Sequence, residues 1–113
     1  MMALVLTAAA ALRIPAPLQG TWDLPNQCRL PAGDETDRVI IHANKEQFWE
    51  VAFTPRRILN ETPQNWTALG RLDGDEDNGA KGRLNLRLSK DGKTLAYTNS
   101  DNRIVRLTRC GKK

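Results

Sequence analysis

The sequence has few of the residues that build catalytic and metal sites. It holds one histidine, two cysteines and one tyrosine among 113 residues, and aromatic residues make up 5%. A Ser-His-Asp or Cys-His site would need His42, which has no nucleophile motif nearby, and one histidine with two cysteines cannot complete the usual four-ligand zinc site. Paired carboxylates occur only in polar loops, a poor place to hold the fixed spacing of a glycosidase pair. We therefore predict no catalytic residue, no metal and no cofactor.

The sequence also has no apolar run of the ~20 residues that cross a bilayer. Its most apolar stretch is residues 1–11, an uncharged segment followed by small residues with Ala-x-Ala cleavage options. This pattern is typical of a signal-peptide core, although the basic flank that usually precedes such a core is missing. Two interpretations stay open: a signal peptide, or an apolar leader that forms a helix of the folded protein.

The two cysteines lie far apart. Cys28 and Cys110 are separated by 82 positions, so they are not a CxxC redox pair. We predict a structural disulfide between them, because paired oxidised cysteines belong to exported compartments. The alternative is two unpaired buried thiols in a cytosolic protein. Together with the apolar leader, the predicted bond favours a periplasmic or secreted protein.

After the leader, the chain has room for one modest domain. Residues 12–17 carry two prolines at alternate positions and predict an extended segment. Residues 18–113 are expected to form a single β domain. Its most legible part is residues 83–109, where leucines alternate with polar residues and turn signals separate three strands, which predicts an antiparallel meander.

The middle of the chain predicts further strands. One is expected over residues 48–53, ended by Pro55, and Ile58 and Leu59 mark a short separate strand. Another is expected over residues 65–72. About eight short strands with polar turns indicate an all-β fold, a small antiparallel up-and-down barrel. The core of this barrel is expected to hold the three tryptophans, which are Trp22, Trp49 and Trp66.

The acidic loop over residues 73–79 imitates the first half of a calcium loop. Asp73, Asp75 and Asp77 alternate, as calcium ligands do. However, Asn78 replaces the glycine of the sixth position and Leu84 stands where the bidentate glutamate belongs. The sequence therefore predicts a solvated hairpin loop.

Charge is distributed unevenly along the chain. Residues 33–78 hold ten acidic and five basic residues, a balance of −5, whereas residues 79–113 hold ten basic and two acidic residues, a balance of +8. Either the two halves face each other and partly neutralise, or the basic half forms a face for an anionic partner. The candidates for such a face are Arg83, Arg87, Arg106, Lys112 and Lys113.

Three residues of the first strand and one of the last carry a family resemblance. Gly20-Thr21-Trp22 and Arg109 resemble the Gly-x-Trp and the arginine that lipocalins and their calycin relatives share. The resemblance implies that the Arg109 guanidinium covers the Trp22 ring at the closed end of the barrel. The chain is also similar to compact bacterial barrels that inhibit secreted metalloproteases, whose disulfide lies within the N-terminal half. Residues 82–110 resemble small exported proteins of proteobacteria, which implies no activity.

These observations predict a non-catalytic exported binding module that is inhibitor-like or envelope-associated. Its partner would be a protein or an anionic envelope component. The alternative is a calycin-type carrier of a small apolar ligand, which needs an apolar hollow. Nucleic acid is not expected as a partner, because no aromatic residues are interleaved on the basic strands. We expect a monomer.

Overall fold

A computed structural model of the chain describes residues 12–31, 36–48, 51–74 and 78–111. These residues form eight strands: β1 (Gly20–Asp23), β2 (Val39–Ile41), β3 (Glu46–Phe48), β4 (Val51–Thr62), β5 (Asn65–Asp73), β6 (Ala80–Leu88), β7 (Thr94–Thr98) and β8 (Ile104–Arg109). Each strand pairs antiparallel with the next, and β8 pairs with β1, so the sheet closes into an up-and-down barrel. The predicted fold class is confirmed. The apolar leader and Trp49 lie outside the described residues.

The predicted meander is present as β6, β7 and β8. Leu84 and Leu86 are buried, whereas Arg83 and Arg87, which flank them, are exposed, as the two-residue period of a strand requires. The β6–β7 turn is closed by the Ser89 hydroxyl, which donates to the Asp91 carboxylate at 2.7 Å. This contact holds the pKa of Asp91 below its usual range.

The structure corrects the prediction at Pro55. Pro55 does not end a strand, because β4 continues to Thr62 and includes Ile58 and Leu59, which the sequence had assigned to a separate strand. A register shift follows Pro55, and proline is tolerated at such a bulge because it has no N–H to leave unpaired. Gly70 is its partner on β5, and a Cβ there would collide with the Thr54 carbonyl oxygen.

Two further boundaries differ from the prediction. The strand expected over residues 48–53 is divided, since β3 ends at Phe48 and β4 begins at Val51. The extended segment expected over residues 12–17 gives way to a 3-10 helix at Ala16–Leu18. Proline is compatible with the first turn of a helix, where its missing N–H would have no partner, so Pro17 does not prevent this turn.

The barrel interior is packed with large apolar side chains. Trp22 and Trp66 are both fully buried, and Phe53 is 2% exposed. Aliphatic side chains fill the space around them, among them Ile41, Leu84, Leu86, Leu95 and Leu107. Eight strands enclose an interior about wide enough for side chains to fill, so this composition suits the size of the barrel.

Arg109 covers Trp22 at one end of the barrel. Its Cζ atom lies 4.2 Å from the centre of the indole ring, and its two terminal nitrogens donate to the carbonyls of Gln19 at 2.9 Å and Pro17 at 2.7 Å. Gly20 has a φ of 128°, which favours glycine, and a Cβ there would stand 3.2 Å from the guanidinium. The Gly-x-Trp pattern therefore has a physical cause, since glycine leaves room for the stacked arginine.

The predicted disulfide is confirmed. Cys28 and Cys110 are bonded with their Cα atoms 5.4 Å apart. The bond stands beside the seam where β1 meets β8 through the pairs Trp22–Arg109 and Asp23–Thr108. A structural disulfide indicates an oxidising, extracytoplasmic compartment.

Arg38 secures the loop that carries Cys28. Its Nε donates to the carboxylate of the fully buried Asp23 at 3.0 Å. Its Nη2 donates to the carbonyls of Gln27, Cys28 and Leu30. Charge-assisted bonds of this kind are stronger than neutral ones, so one guanidinium ties the β1–β2 loop to the barrel wall.

Candidate functional site

The predicted basic residues occupy the outer wall of the barrel. Arg83 and Arg87 on β6 and Arg106 on β8 are exposed, and we call these three residues the basic face. Ala96 on β7 pairs with both Arg87 and Arg106, so one strand separates the two arginines, or roughly 10 Å across the sheet. Lys112 and Lys113 lie outside the described residues.

A polar cleft of about 370 Å³ lies on the β5–β7 part of this wall. Eight residues line it: Asn65, Thr67, Arg83, Asn85, Arg87, Thr98, Asn99 and Asn102. Every one of them is an arginine, an asparagine or a threonine. We call this feature the β5–β7 cleft, and it includes two members of the basic face.

Hydrogen bonds hold the floor of the cleft in place. The Asn85 amide nitrogen donates to the Thr67 hydroxyl at 2.7 Å and to the Asn65 side-chain oxygen at 2.8 Å. Both hydrogens of that amide are thereby used, while the Asn85 oxygen has no donor among the described residues. The floor therefore presents the Asn85 side-chain oxygen as a fixed acceptor. The Asn65 amide nitrogen and the Thr67 hydroxyl group lie beside it.

The turn between β7 and β8 forms one rim of the cleft. The Ser100 hydroxyl accepts from the Arg83 backbone N–H at 2.8 Å and donates to its carbonyl at 3.2 Å, which anchors the turn beside β6. The Asn99 side-chain oxygen accepts from the N–H groups of Asp101 and Arg103. Within the described residues, the Asn99 side chain is bonded only through its oxygen. Its amide nitrogen therefore remains as a donor in the lining of the cleft.

The two arginines of the cleft have no ion-pair partner among the described residues. The ion pairs among the described residues are Arg38–Asp23 and Arg71–Asp73, and neither involves the basic face. The side chains of Arg83 and Arg87 make no hydrogen bond or ion pair with any residue that the structure describes. Within the described residues, no acidic side chain neutralises either arginine by direct contact.

Sequence reasoning missed most of the cleft. The period of two in β6 placed Arg83, Asn85 and Arg87 outward, but Asn65 and Thr67 come from β5, and Thr98, Asn99 and Asn102 come from β7 and the turn after it. Only the strand register brings these segments together. It also missed Arg57 on β4, which lies in one row with Leu69 and Arg83 on the outer wall. Outward polar positions on consecutive strands were the available signal.

The described residues that were considered for chemistry, His42 and Asp73, do not line the cleft. His42 is exposed at the end of β2, where its backbone N–H donates to the Lys45 carbonyl. Asp73 accepts from the Arg71 guanidinium at 3.0 Å and from the Gly79 N–H at 3.1 Å, so it closes the β5–β6 hairpin. Asp75 and Asp77 are outside the described residues. In the part of the chain described, no three His, Cys, Asp or Glu side chains are grouped as metal ligands would be.

A polar pair is buried inside the barrel. The Tyr97 hydroxyl donates to the Glu46 carboxylate at 3.1 Å, and Glu46 is 3% exposed. Burial raises the pKa of Glu46 to about 7, although the bond from Tyr97 lowers it. Burial and the nearby carboxylate raise the pKa of Tyr97. The interior therefore favours the protonated, neutral form of Glu46.

We expect the stability of the barrel to fall as pH rises from about 4.5 to 7. A carboxyl with a raised folded-state pKa stabilises the fold fully below its unfolded-state pKa and loses that contribution as pH rises through the folded one. A shift from 4.5 to about 7 corresponds to about 3 kcal/mol. Urea unfolding at a series of pH values measures this loss.

The matched variant is Glu46→Gln, whose side-chain oxygen can still accept from Tyr97. Its stability should change far less between pH 4.5 and 7 than that of the parent protein. Comparing the two proteins removes the contributions that are common to both. Identical pH profiles for parent and variant would show that Glu46 is ordinary in its ionisation.

The fold and its closed end can be compared with known classes of protein. The closed barrel of eight antiparallel strands is consistent with a calycin-like fold. Comparisons with protein-family models, curated proteins and solved structures find no match to the chain. Within the described residues, no helix has the length and apolar character needed to cross a membrane.

Proposed function

We propose that this protein is a non-catalytic, exported binding module that holds an anionic partner against the basic face and the β5–β7 cleft. One observation carries the proposal: Arg83 and Arg87 line a polar cleft without an ion-pair partner among the described residues. An unpaired guanidinium attracts negative charge from solution and forms paired hydrogen bonds with carboxylates and phosphates. A negatively charged partner would supply the ion pairs that Arg83 and Arg87 do not form among the described residues.

Two features support export. The disulfide fits an oxidising compartment, and residues 1–11 have the composition of a signal-peptide core. The stacked Arg109 and Trp22 support the lipocalin-like character of the barrel. The likeness to small exported proteins of proteobacteria rests on residues 82–110. In such a setting the partner would be an acidic protein or an anionic component of the envelope, and the role inhibitor-like or envelope-associated.

The alternative function, a carrier of a small apolar ligand, has less support. A carrier needs an apolar hollow, whereas Trp22, Trp66 and Phe53 occupy the described interior at 2% exposure or less. The cleft on the outer wall is lined by polar residues and does not suit an apolar ligand. We therefore place the binding surface outside the barrel.

Binding to envelope extract should weaken as ionic strength rises, because salt screens exposed charges. It should be lost in the variant Arg83→Glu/Arg87→Glu/Arg106→Glu. Retention of extract components by the immobilised protein, across a salt series, measures both effects. The circular dichroism spectrum establishes that the variant still folds.

A control with the same change in net charge is Arg13→Glu/Arg29→Glu/Lys45→Glu. These three residues are exposed and lie on the β1–β3 side of the barrel, away from the cleft. The control should keep most of the binding if the basic face is the site. Equal binding by the parent and the variant reversed at Arg83, Arg87 and Arg106 at low salt would refute the proposed function.

A further inference from the structure

The β5–β7 cleft has a chemistry more specific than positive charge. Arg83 and Arg87 are four positions apart on one strand, which separates their Cα atoms by roughly 13 Å. Asn85 stands midway between them on the same outward side. The cleft therefore places a cation at each end and neutral hydrogen-bonding groups in the middle.

The neutral groups offer donors and an acceptor together. Asn85 presents its side-chain oxygen, and Asn65 and Asn99 have amide nitrogens that are not used in bonds among the described residues. A sugar hydroxyl both donates and accepts, so it is matched by a mixture of this kind. A simple carboxylate ion only accepts hydrogen bonds and would leave the Asn85 oxygen unpaired.

The volume and the lining of the cleft also suit a small polar ligand. A volume of about 370 Å³ falls in the range of about 300–1,000 Å³ typical of small-ligand pockets. No aromatic or aliphatic residue lines the cleft, so an apolar ligand would gain little there. Two cationic ends with a hydroxyl-binding middle are complementary to a short polymer that carries both negative charges and hydroxyl groups.

We propose that the β5–β7 cleft binds an acidic oligosaccharide, with Arg83 and Arg87 holding carboxylates of separate sugar units and the asparagines holding hydroxyls between them. This inference rests on the proposed function and narrows its partner to a carboxylated glycan. Because no aromatic ring in the lining can stack on a sugar, affinity comes from charge-assisted hydrogen bonds and falls with salt.

The test uses three probes with the full chain. Trigalacturonate carries carboxylates and hydroxyls, galactotriose carries hydroxyls alone, and triglutamate carries carboxylates on a peptide. In ¹⁵N NMR titrations at low salt, trigalacturonate should shift the side-chain amide signals of Asn65, Asn85 and Asn99. Galactotriose and triglutamate should each bind at least roughly tenfold more weakly, since each lacks one of the two matched interactions.

Two variants with the same change in net charge distinguish binding at the cleft from general electrostatic attraction to the protein. Arg83→Gln/Arg87→Gln should weaken trigalacturonate binding roughly tenfold or more, whereas Arg29→Gln/Lys45→Gln should change it less than about twofold. An equal loss in both variants would overturn the inference. So would triglutamate binding as tightly as trigalacturonate, or inorganic phosphate displacing trigalacturonate at equal concentration, because these results assign the cleft to acidic peptides or to phosphate groups.

Failure of this inference can be told from failure of the proposed function. If the parent protein does not bind trigalacturonate but loses envelope binding on charge reversal of Arg83, Arg87 and Arg106, the glycan is wrong and the anionic partner stands. If the parent protein does not bind trigalacturonate and charge reversal leaves envelope binding intact, both are wrong.

Discussion

Replacing both cysteines, as Cys28→Ala/Cys110→Ala, should lower the free energy of unfolding by roughly 4 kcal/mol. The bond joins residues 82 positions apart, and closing a loop of that length removes a large conformational entropy from the unfolded chain. A domain of this size has a total stability of ~5–15 kcal/mol, so the loss is a major fraction of it. Guanidinium unfolding of the oxidised parent and of the double variant measures the difference.

The reduced parent protein is the control for packing changes at the two positions. It should match the double variant in stability, because both lack the cross-link and both side chains are only partly buried. Mass measurement after alkylation should show two protected thiols until reductant is added. Thiols that react without reductant, or equal stability of oxidised and variant proteins, would contradict the expectation.

The second large effect is expected at the closed end. Trp22→Ala should destabilise the barrel by about 3–5 kcal/mol, the range for removing a fully buried aromatic side chain. The indole N–H also donates to the Leu18 carbonyl at 3.0 Å, so the substitution removes one of the hydrogen bonds that tie the 3-10 helix to the barrel. Thermal and denaturant unfolding give the size of the loss.

Arg109→Ala should cost less than Trp22→Ala, because the guanidinium is partly exposed and contributes through stacking and two hydrogen bonds. The double variant should then lose less than the two single losses combined, by about 0.5–3 kcal/mol, as expected for residues in contact. Strict additivity would mean that the two side chains act independently and would argue against the stacked pair.

The sequence predicted the elements whose pattern is local. Leu84, Leu86 and their polar neighbours showed a strand by alternation alone, and the structure agrees. The strand does not end at Pro55 because the register of β4 against β5 shifts directly after it, and this pairing is not visible in the local sequence. A proline is read as a strand end when nothing is known about what lies opposite.

The candidate site was likewise predictable only in part. Alternation along β6 placed Arg83 and Arg87 on the outer wall, but it could not pair Asn85 with Thr67 and Asn65, which lie about 20 positions earlier. Glu46 is buried, and its partner Tyr97 lies 51 positions along the chain. Such contacts depend on barrel closure, which the sequence does not show locally.

Because the barrel closes by pairing its first strand with its last, closure must follow the order in which the strands are synthesised. Ribosomes make the chain from its N-terminus, so β1 exists long before its second neighbour. Until β8 emerges, β1 and β7 are unpaired sheet edges, which are sites of association with other chains. Cys28 must likewise wait for Cys110. The barrel can therefore close only after synthesis has passed its last strand, and an arrested chain that lacks β8 would keep two open edges and a reactive thiol.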